Sequence, residues 1–168
     1  ATSPILLQRQ RLPSWAKQQE LIEAVERNQV LIVAGETGCG KTTQLPQFIL
    51  DNAIWQGRGA VTNMICTQPR RISATSVATR VASERGEQIG KTVGYKIRLE
   101  GSMSTNTRIL LCNTGVLLRR LTEDPLLSGV SNVIVDEVHE RSLGSDFLLV
   151  LLGDILTHRP TLKVVLMS

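Results

Sequence analysis

The chain has 168 residues, 42% of them hydrophobic and 20% charged; this suffices for one buried core, falls short of two domains of average size, and excludes a disordered tail. Only 3% of residues are aromatic (Trp15, Phe48, Trp55, Tyr95 and Phe147), so a surface that binds nucleic acid by stacking bases on an aromatic platform is excluded. Nineteen Lys and Arg against 15 Asp and Glu leave a formal charge of +4, which tolerates a phosphate-rich partner without requiring one.

Residues 1–13 read as a lead-in without a basic, apolar leader, and no later apolar run reaches bilayer-spanning length, so no membrane association is expected. Cys39, Cys66 and Cys112 stand singly, which suits neither a disulfide framework nor a CxxC metal site; the cytoplasm or nucleus is the expected compartment. Pro13 then opens a helix predicted over Ser14–Arg27 with Ser14 as its N-cap. A buried β-branched strand follows at Val30–Ala34, then a helix over Lys41–Ile54, a strand at Met64–Thr67 and a helix over Ile72–Arg85. Strands are predicted at Thr92–Ile97 and Arg108–Cys112, and the polar stretch Glu100–Thr107 reads as a turn that pairs them directly as a hairpin. The helix Gly115–Thr122, the strand Asn132–Val135, the helix Ser145–Thr157 and the strand Lys163–Met167 complete the chain. Six strands alternating with helices predict an α/β fold, a mostly parallel sheet with helices on both faces.

Between the first strand and the helix that follows, Gly35-Glu36-Thr37-Gly38-Cys39-Gly40-Lys41-Thr42 fits GxxxxGK[ST], and the strand–loop–helix setting is the one that confirms a phosphate-binding loop. Glycines let successive backbone N–H groups converge on phosphate oxygens, the helix N-terminus adds unpaired donors, and Lys41 adds a point charge. Thr42 offers its hydroxyl to Mg²⁺, and Thr43 extends the binding set into the first helical turn. Cys39 reads as a small filler whose alkylation would block nucleotide access.

The strand Asn132–Val135 ends in Asp136-Glu137-Val138-His139-Glu140-Arg141, carboxylates at the strand end where α/β sheets carry their ligands. Asp136 and Glu137 are the candidate Mg²⁺ ligands, with Glu137 also placed to activate a water. His139 without a second His or Cys beside it is not a zinc ligand; a hydrogen-bonded structural role and a catalytic one both stay open.

Together these motifs resemble the DEAH-box/RNA helicase A family of superfamily 2, the acidic motif taking the form DEVH. Thr67-Gln68-Pro69-Arg70-Arg71 resembles the family's motif Ia, Thr114-Gly115 its motif Ib, and Leu166-Met167-Ser168 the start of its SAT motif. Asn113 and Gly101 depart from the residues common there. The resemblance implies a RecA-like P-loop NTPase domain over 14–168, the first of two lobes, with the chain stopping inside the SAT motif. It implies ATP, with other NTPs admitted, and Mg²⁺ as cofactors. Single-stranded RNA is the implied partner, held along its sugar-phosphate backbone by Gln68, Pro69, Arg70, Arg71, Thr114 and Gly115. It also implies that Arg80 stacks on the base, that His139 and Ser168 couple nucleotide state to unwinding, and that a second lobe supplies arginines absent here. A monomer that binds nucleotide and hydrolyses it slowly is expected. From residue chemistry alone, Arg70-Arg71 is equally a solvated pair; Arg119 and Arg120 join it as candidates for the chain's basic surface. A DNA-directed translocase and a non-catalytic scaffold lobe are the alternatives.

Overall fold

The structure, a computed structural model, describes residues 3–36 and 38–168. Its strands are β1 (Val30–Val33), β2 (Met64–Gln68), β3 (Val93–Ile97), β4 (Glu100–Ser102), β5 (Ile109–Asn113), β6 (Asn132–Val135) and β7 (Lys163–Met167). They form one sheet of order β1-β7-β6-β2-β5-β3-β4, parallel at every junction but the last. The helices are α1 (Pro4–Gln10), α2 (Gln18–Arg27), α3 (Lys41–Trp55), α4 (Arg71–Glu84), α5 (Thr114–Glu123) and α6 (Leu143–His158). Among the described residues no helix is long and apolar enough to cross a membrane.

Side chains alternate across each strand and so divide the core in two. On one face Met64, Cys66, Ile134 and Val165 meet Leu45, Ile49 and Leu50 of α3 and Ala74, Ala78 and Val81 of α4. The small residues of α4 let it lie close to the sheet. On the other face Ile65, Val133, Val135 and Val164 meet Leu117 and Leu121 of α5 and Leu148, Leu152 and Ile155 of α6. The six parallel strands therefore bring their C-terminal ends to one rim, where every candidate motif lies.

Four sequence expectations are corrected. The strands read as a hairpin across 100–107 are parallel neighbours, Val93 opposite Ile109. Instead Glu100–Ser102 forms a seventh strand antiparallel to β3, and the chain returns past it before entering β5. The first strand ends at Val33 and is an edge, with Ile32 69% and Val30 45% exposed rather than buried. Ser14 is no N-cap: it sits inside a 3-10 turn, Pro13–Lys17, and α2 starts only at Gln18. Its N–H donates to the Cys39 carbonyl at 3.0 Å, tying this turn to the glycine-rich loop. The lead-in contains α1, whose Ser3 side chain accepts the Ile5 N–H; residues 1 and 2 lie outside the described residues.

Candidate functional site

The loop leaving β1 turns through Gly38 and Gly40, both at left-handed φ (84° and 89°). At Gly40 space as well as angle demands glycine, since a Cβ would sit 2.8 Å from Leu12 Cδ1 and 2.9 Å from Ser14 Oγ. Gly40 is also the N-cap of α3, and offers no side-chain acceptor to the first-turn N–H groups, which stay free for an anion. Buried Lys41 folds back so that its Nζ donates to the Gly35 carbonyl at 3.1 Å. Thr43 Oγ1 donates to the Gly40 carbonyl at 3.3 Å, bracing the turn. Glu36 is exposed and Cys39 half-buried; Thr37 lies outside the described residues. A cavity of about 300 Å³ opens over Gly38, Gly40, Lys41, Thr42 and Thr43, walled by Leu12, Arg80 and Glu84.

β7 separates β1 from β6, yet the two motifs meet. Thr42 Oγ1 donates to Asp136 Oδ2 at 2.8 Å, and Gln68 Nε2 donates to the same oxygen at 2.7 Å. The Glu137 N–H donates to Asp136 Oδ1 at 2.8 Å. Asp136 is 2% exposed, so these donors are what satisfy its buried oxygens and hold the side chain in place. Hard oxygen donors at Thr42 and Asp136, already within hydrogen-bond distance of each other beneath the anion loop, fit Mg²⁺. Glu137 adopts the left-handed region (φ 59°, ψ 37°), a conformation costing on the order of 1 kcal/mol for a side-chain-bearing residue. The turn sends its side chain away from the core: Glu137 Oε2 lies 3.2 Å from His139 Nε2, and His139 Nδ1 lies 3.4 Å from Ser168 Oγ. His139 is thus a hydrogen-bonding link between the acidic turn and the end of β7.

Of the residues expected along RNA, Arg70, Arg71 and Gly115 are exposed, Pro69 is half-buried and Thr114 is buried at the start of α5. Arg70 pairs with Glu140 at 3.1 Å. Gln68 departs from the expectation: it is 3% exposed and turned into the carboxylate site. The alternation that places Met64 and Cys66 toward α3 and α4 carries Gln68 to that side too.

Sequence reasoning passed over Lys96 and Arg98. With Arg71, Arg119, Asn113 and Gly115 they line a cavity of about 250 Å³ between the β3 end and the α5 N-terminus. Among the described residues none of these four cations is in a salt bridge. Their signal was a pair of cations at the C-terminal end of a predicted strand: Lys96 lies in β3 and Arg98 in the turn just past it. Arg120 lies 3.9 Å from Asp124 instead.

Arg80 Nε donates to Glu84 Oε2 at 2.8 Å. Glu84, its side chain 1% exposed, also receives Gln44 Nε2 at 2.7 Å and Gln47 Nε2 at 3.3 Å, and lies 3.3 Å from Arg9 Nε. Arg9 Nε donates to Gln44 Oε1 at 2.8 Å, and its guanidinium lies over Trp15. Burial lowers the Arg9 pKa, opposed by the Glu84 charge. Burial pushes the Cys112 thiol up to about 12, and raises Cys66 well above its ordinary value with a further push from Cys112. Neither is a nucleophile at neutral pH.

A family model for the DEAD/DEAH box helicase matches residues 15–168. The chain belongs to the DEAD/DEAH box helicase family. It is 60% identical over 160 residues to the DExH-box ATP-dependent RNA helicase DExH1 of Arabidopsis thaliana, covering 95% of this chain and 16% of that protein. It is 51% identical over 163 residues to the human ATP-dependent DNA/RNA helicase DHX36, covering 95% and 16% respectively. RNA editing associated helicase 2 of Trypanosoma brucei is 52% identical over 161 residues, covering 96% and 7%. The chain spans about a sixth or less of these relatives. Seven strands, mostly parallel and flanked by helices, are the RecA-like α/β architecture of such a helicase domain.

Proposed function

We propose that the chain is the ATP-binding lobe of an ATP-dependent RNA helicase, holding Mg·ATP over the loop 35–43 and single-stranded RNA across the opposite half of the rim. The observation that carries this reading is the 2.8 Å contact between Thr42 and Asp136, which joins the anion loop to a buried carboxylate. The loop amides and Lys41 neutralise the phosphates, Lys41 exchanging the Gly35 carbonyl for a phosphate oxygen. Thr42 and Asp136 hold Mg²⁺, with Glu137 beside them; the metal, when bound, supplies charge neutralisation on the phosphate oxygens. Glu137 accepts the proton of the attacking water, with His139 at 3.2 Å orienting its carboxylate. Arg80, held by Glu84, presents a guanidinium face to the base, which is tolerant of base identity.

RNA lies over Pro69, Arg70, Arg71, Thr114 and Gly115, and Lys96, Arg98 and Arg119 extend the same phosphate-binding surface. A relative is named a DNA/RNA helicase, and phosphate contacts do not by themselves distinguish the two nucleic acids. Parallel titrations with RNA and DNA of one sequence decide between them. The cytoplasm or nucleus is the compartment that fits.

A family arginine from a second lobe contributes roughly 10³–10⁵ in rate in related enzymes, so this chain alone binds nucleotide and turns it over slowly. The test is calorimetric binding of ATP with Mg²⁺ to residues 1–168, alongside a hydrolysis assay. Binding lost in both Lys41→Ala and Asp136→Asn is expected. A wild-type chain that ignores Mg·ATP refutes the reading in favour of a scaffold lobe; rapid hydrolysis refutes the need for a second lobe.

A further inference from the structure

Two side chains from the segment that follows β2 reach across to the acidic turn. Gln68 donates to Asp136 Oδ2 at 2.7 Å, and Arg70, two residues on, pairs with Glu140 at 3.1 Å. The backbone prepares the first contact: β2 and β6 are parallel neighbours with Thr67 opposite Val135, and the Asp136 N–H donates to the Thr67 carbonyl at 3.1 Å. The next residue on each strand, Gln68 and Asp136, therefore faces the same side of the sheet. The segment 68–70 thus grips the turn 136–140 at its two ends.

These partners differ in kind. Gln68 is buried and its amide has a single acceptor on the turn, whereas Arg70 is exposed and its ion pair is one that a phosphate can displace. Asp136 Oδ2 has two donors, Thr42 and Gln68. When the Thr42 hydroxyl turns to a metal, Gln68 is left to orient that oxygen.

On the reading given above, we propose that Gln68 is a positioning residue that couples RNA on Arg70 and Arg71 to Mg·nucleotide at Thr42 and Asp136. RNA that anchors Arg70 and Arg71 holds the end of β2 in the arrangement in which Gln68 is buried against Asp136. The Gln68 amide is then already set on Asp136 when the metal arrives, and less ordering remains to be done on binding. The coupling is positive and reciprocal: RNA tightens Mg·nucleotide, and Mg·nucleotide tightens RNA by the same factor.

Both sites and both contacts lie within residues 1–168, so the coupling is tested on this chain. The affinity for a non-hydrolysable fluorescent ATP analogue with Mg²⁺ is measured with and without saturating single-stranded oligouridylate, and the ratio of the two affinities is the readout. In the wild type a ratio on the order of 5 to 10 is expected, the lower part of the range typical of allosteric coupling. In Gln68→Leu, which removes the donor, and in Gln68→Asn, whose shorter amide falls away from Asp136, the ratio falls toward one. A merely structural role for Gln68 shifts both affinities together and leaves the ratio untouched. A wild-type ratio of one, or a wild-type ratio retained in both folded variants, overturns the coupling while leaving the proposed function standing. A wild-type chain that binds neither Mg·nucleotide nor RNA removes the proposed function, and the coupling with it.

Discussion

Replacing Glu84 by Ala tests the energetic centre of the lobe. This carboxylate is 1% exposed and is approached by four donors: Gln44 at 2.7 Å, Arg80 at 2.8 Å, and Arg9 and Gln47 at 3.3 Å. The Arg80 pair is half-exposed, and such pairs contribute little, about 0–1 kcal/mol. The Arg9 pair is different, because Arg9 is 9% exposed and its remaining partners are the Gln44 side-chain oxygen and the face of Trp15. Removing one member of a buried ion pair leaves the other charge uncompensated, at a cost of about 3–5 kcal/mol. For a chain of this size each kcal/mol lowers the melting temperature by about 2–4 °C, so Glu84→Ala should melt about 6–20 °C below wild type. Urea unfolding at constant m-value gives the free energy directly. A second substitution, Arg9→Met, removes the stranded charge and should restore much of the loss in the double variant. A loss below about 1 kcal/mol in Glu84→Ala, or a double variant as unstable as the two single losses summed, would refute the claim that Arg9 and Glu84 form one unit.

Cys39 should react with a thiol-alkylating reagent in the native state while Cys66 and Cys112 react only after unfolding, as mass spectrometry of the labelled chain would report; native labelling of Cys112 would contradict its burial. The same two thiols make stability fall at high pH. Both pKa values are raised in the folded state, so the contribution is complete below the unfolded-state value near 9 and is lost as pH rises above it, for Cys112 toward about 12. Each costs about 1.4 kcal/mol per pH unit in that window, and a urea midpoint flat from pH 8 to pH 10.5 would argue against it. Arg98→Gln should weaken single-stranded RNA binding and reduce the slope of log affinity against log salt by about 0.7, the loss of one phosphate contact; an unchanged slope would remove Arg98 from the RNA surface.

The legible parts of the sequence were those where one physical constraint dominates. Runs such as Met64–Thr67 and Asn132–Val135 are apolar on both faces because both faces are covered by helices, and that pattern needs no tertiary knowledge to read. The glycine-rich loop was legible because its dihedral angles exclude other residues. What escaped was decided by contacts distant in sequence. Glu100–Ser102 is exposed along most of its length and carries no apolar period, so its pairing with β3 rests on backbone hydrogen bonds and on the Tyr95 hydroxyl, which donates to the Glu100 carboxylate. Ser14 has the chemistry of a helix cap, but the contact that matters is its backbone bond to Cys39 in the loop. Glu84 lies at the end of a predicted helix, where an exposed carboxylate is the ordinary expectation, and three of its partners arrive from α1 and α3.

Gln68 shows why the candidate site was only partly readable. As part of a motif it stands beside exposed arginines, and motif membership suggests that it shares their surface. Strand parity says otherwise: residues 64, 66 and 68 of β2 share one face with residue 134 of β6 and with Asp136 just past its end. Thr67 and Val135, of opposite parity, are buried on the other side. A register shift of one residue between β2 and β6 would set Thr67 or Pro69 against Asp136; proline has no side-chain donor, and threonine offers a short hydroxyl in place of the longer Gln68 amide. The register is set by how the apolar residues of both strands fill the two cores, so the packing that stabilises the sheet also selects which polar side chain reaches Asp136.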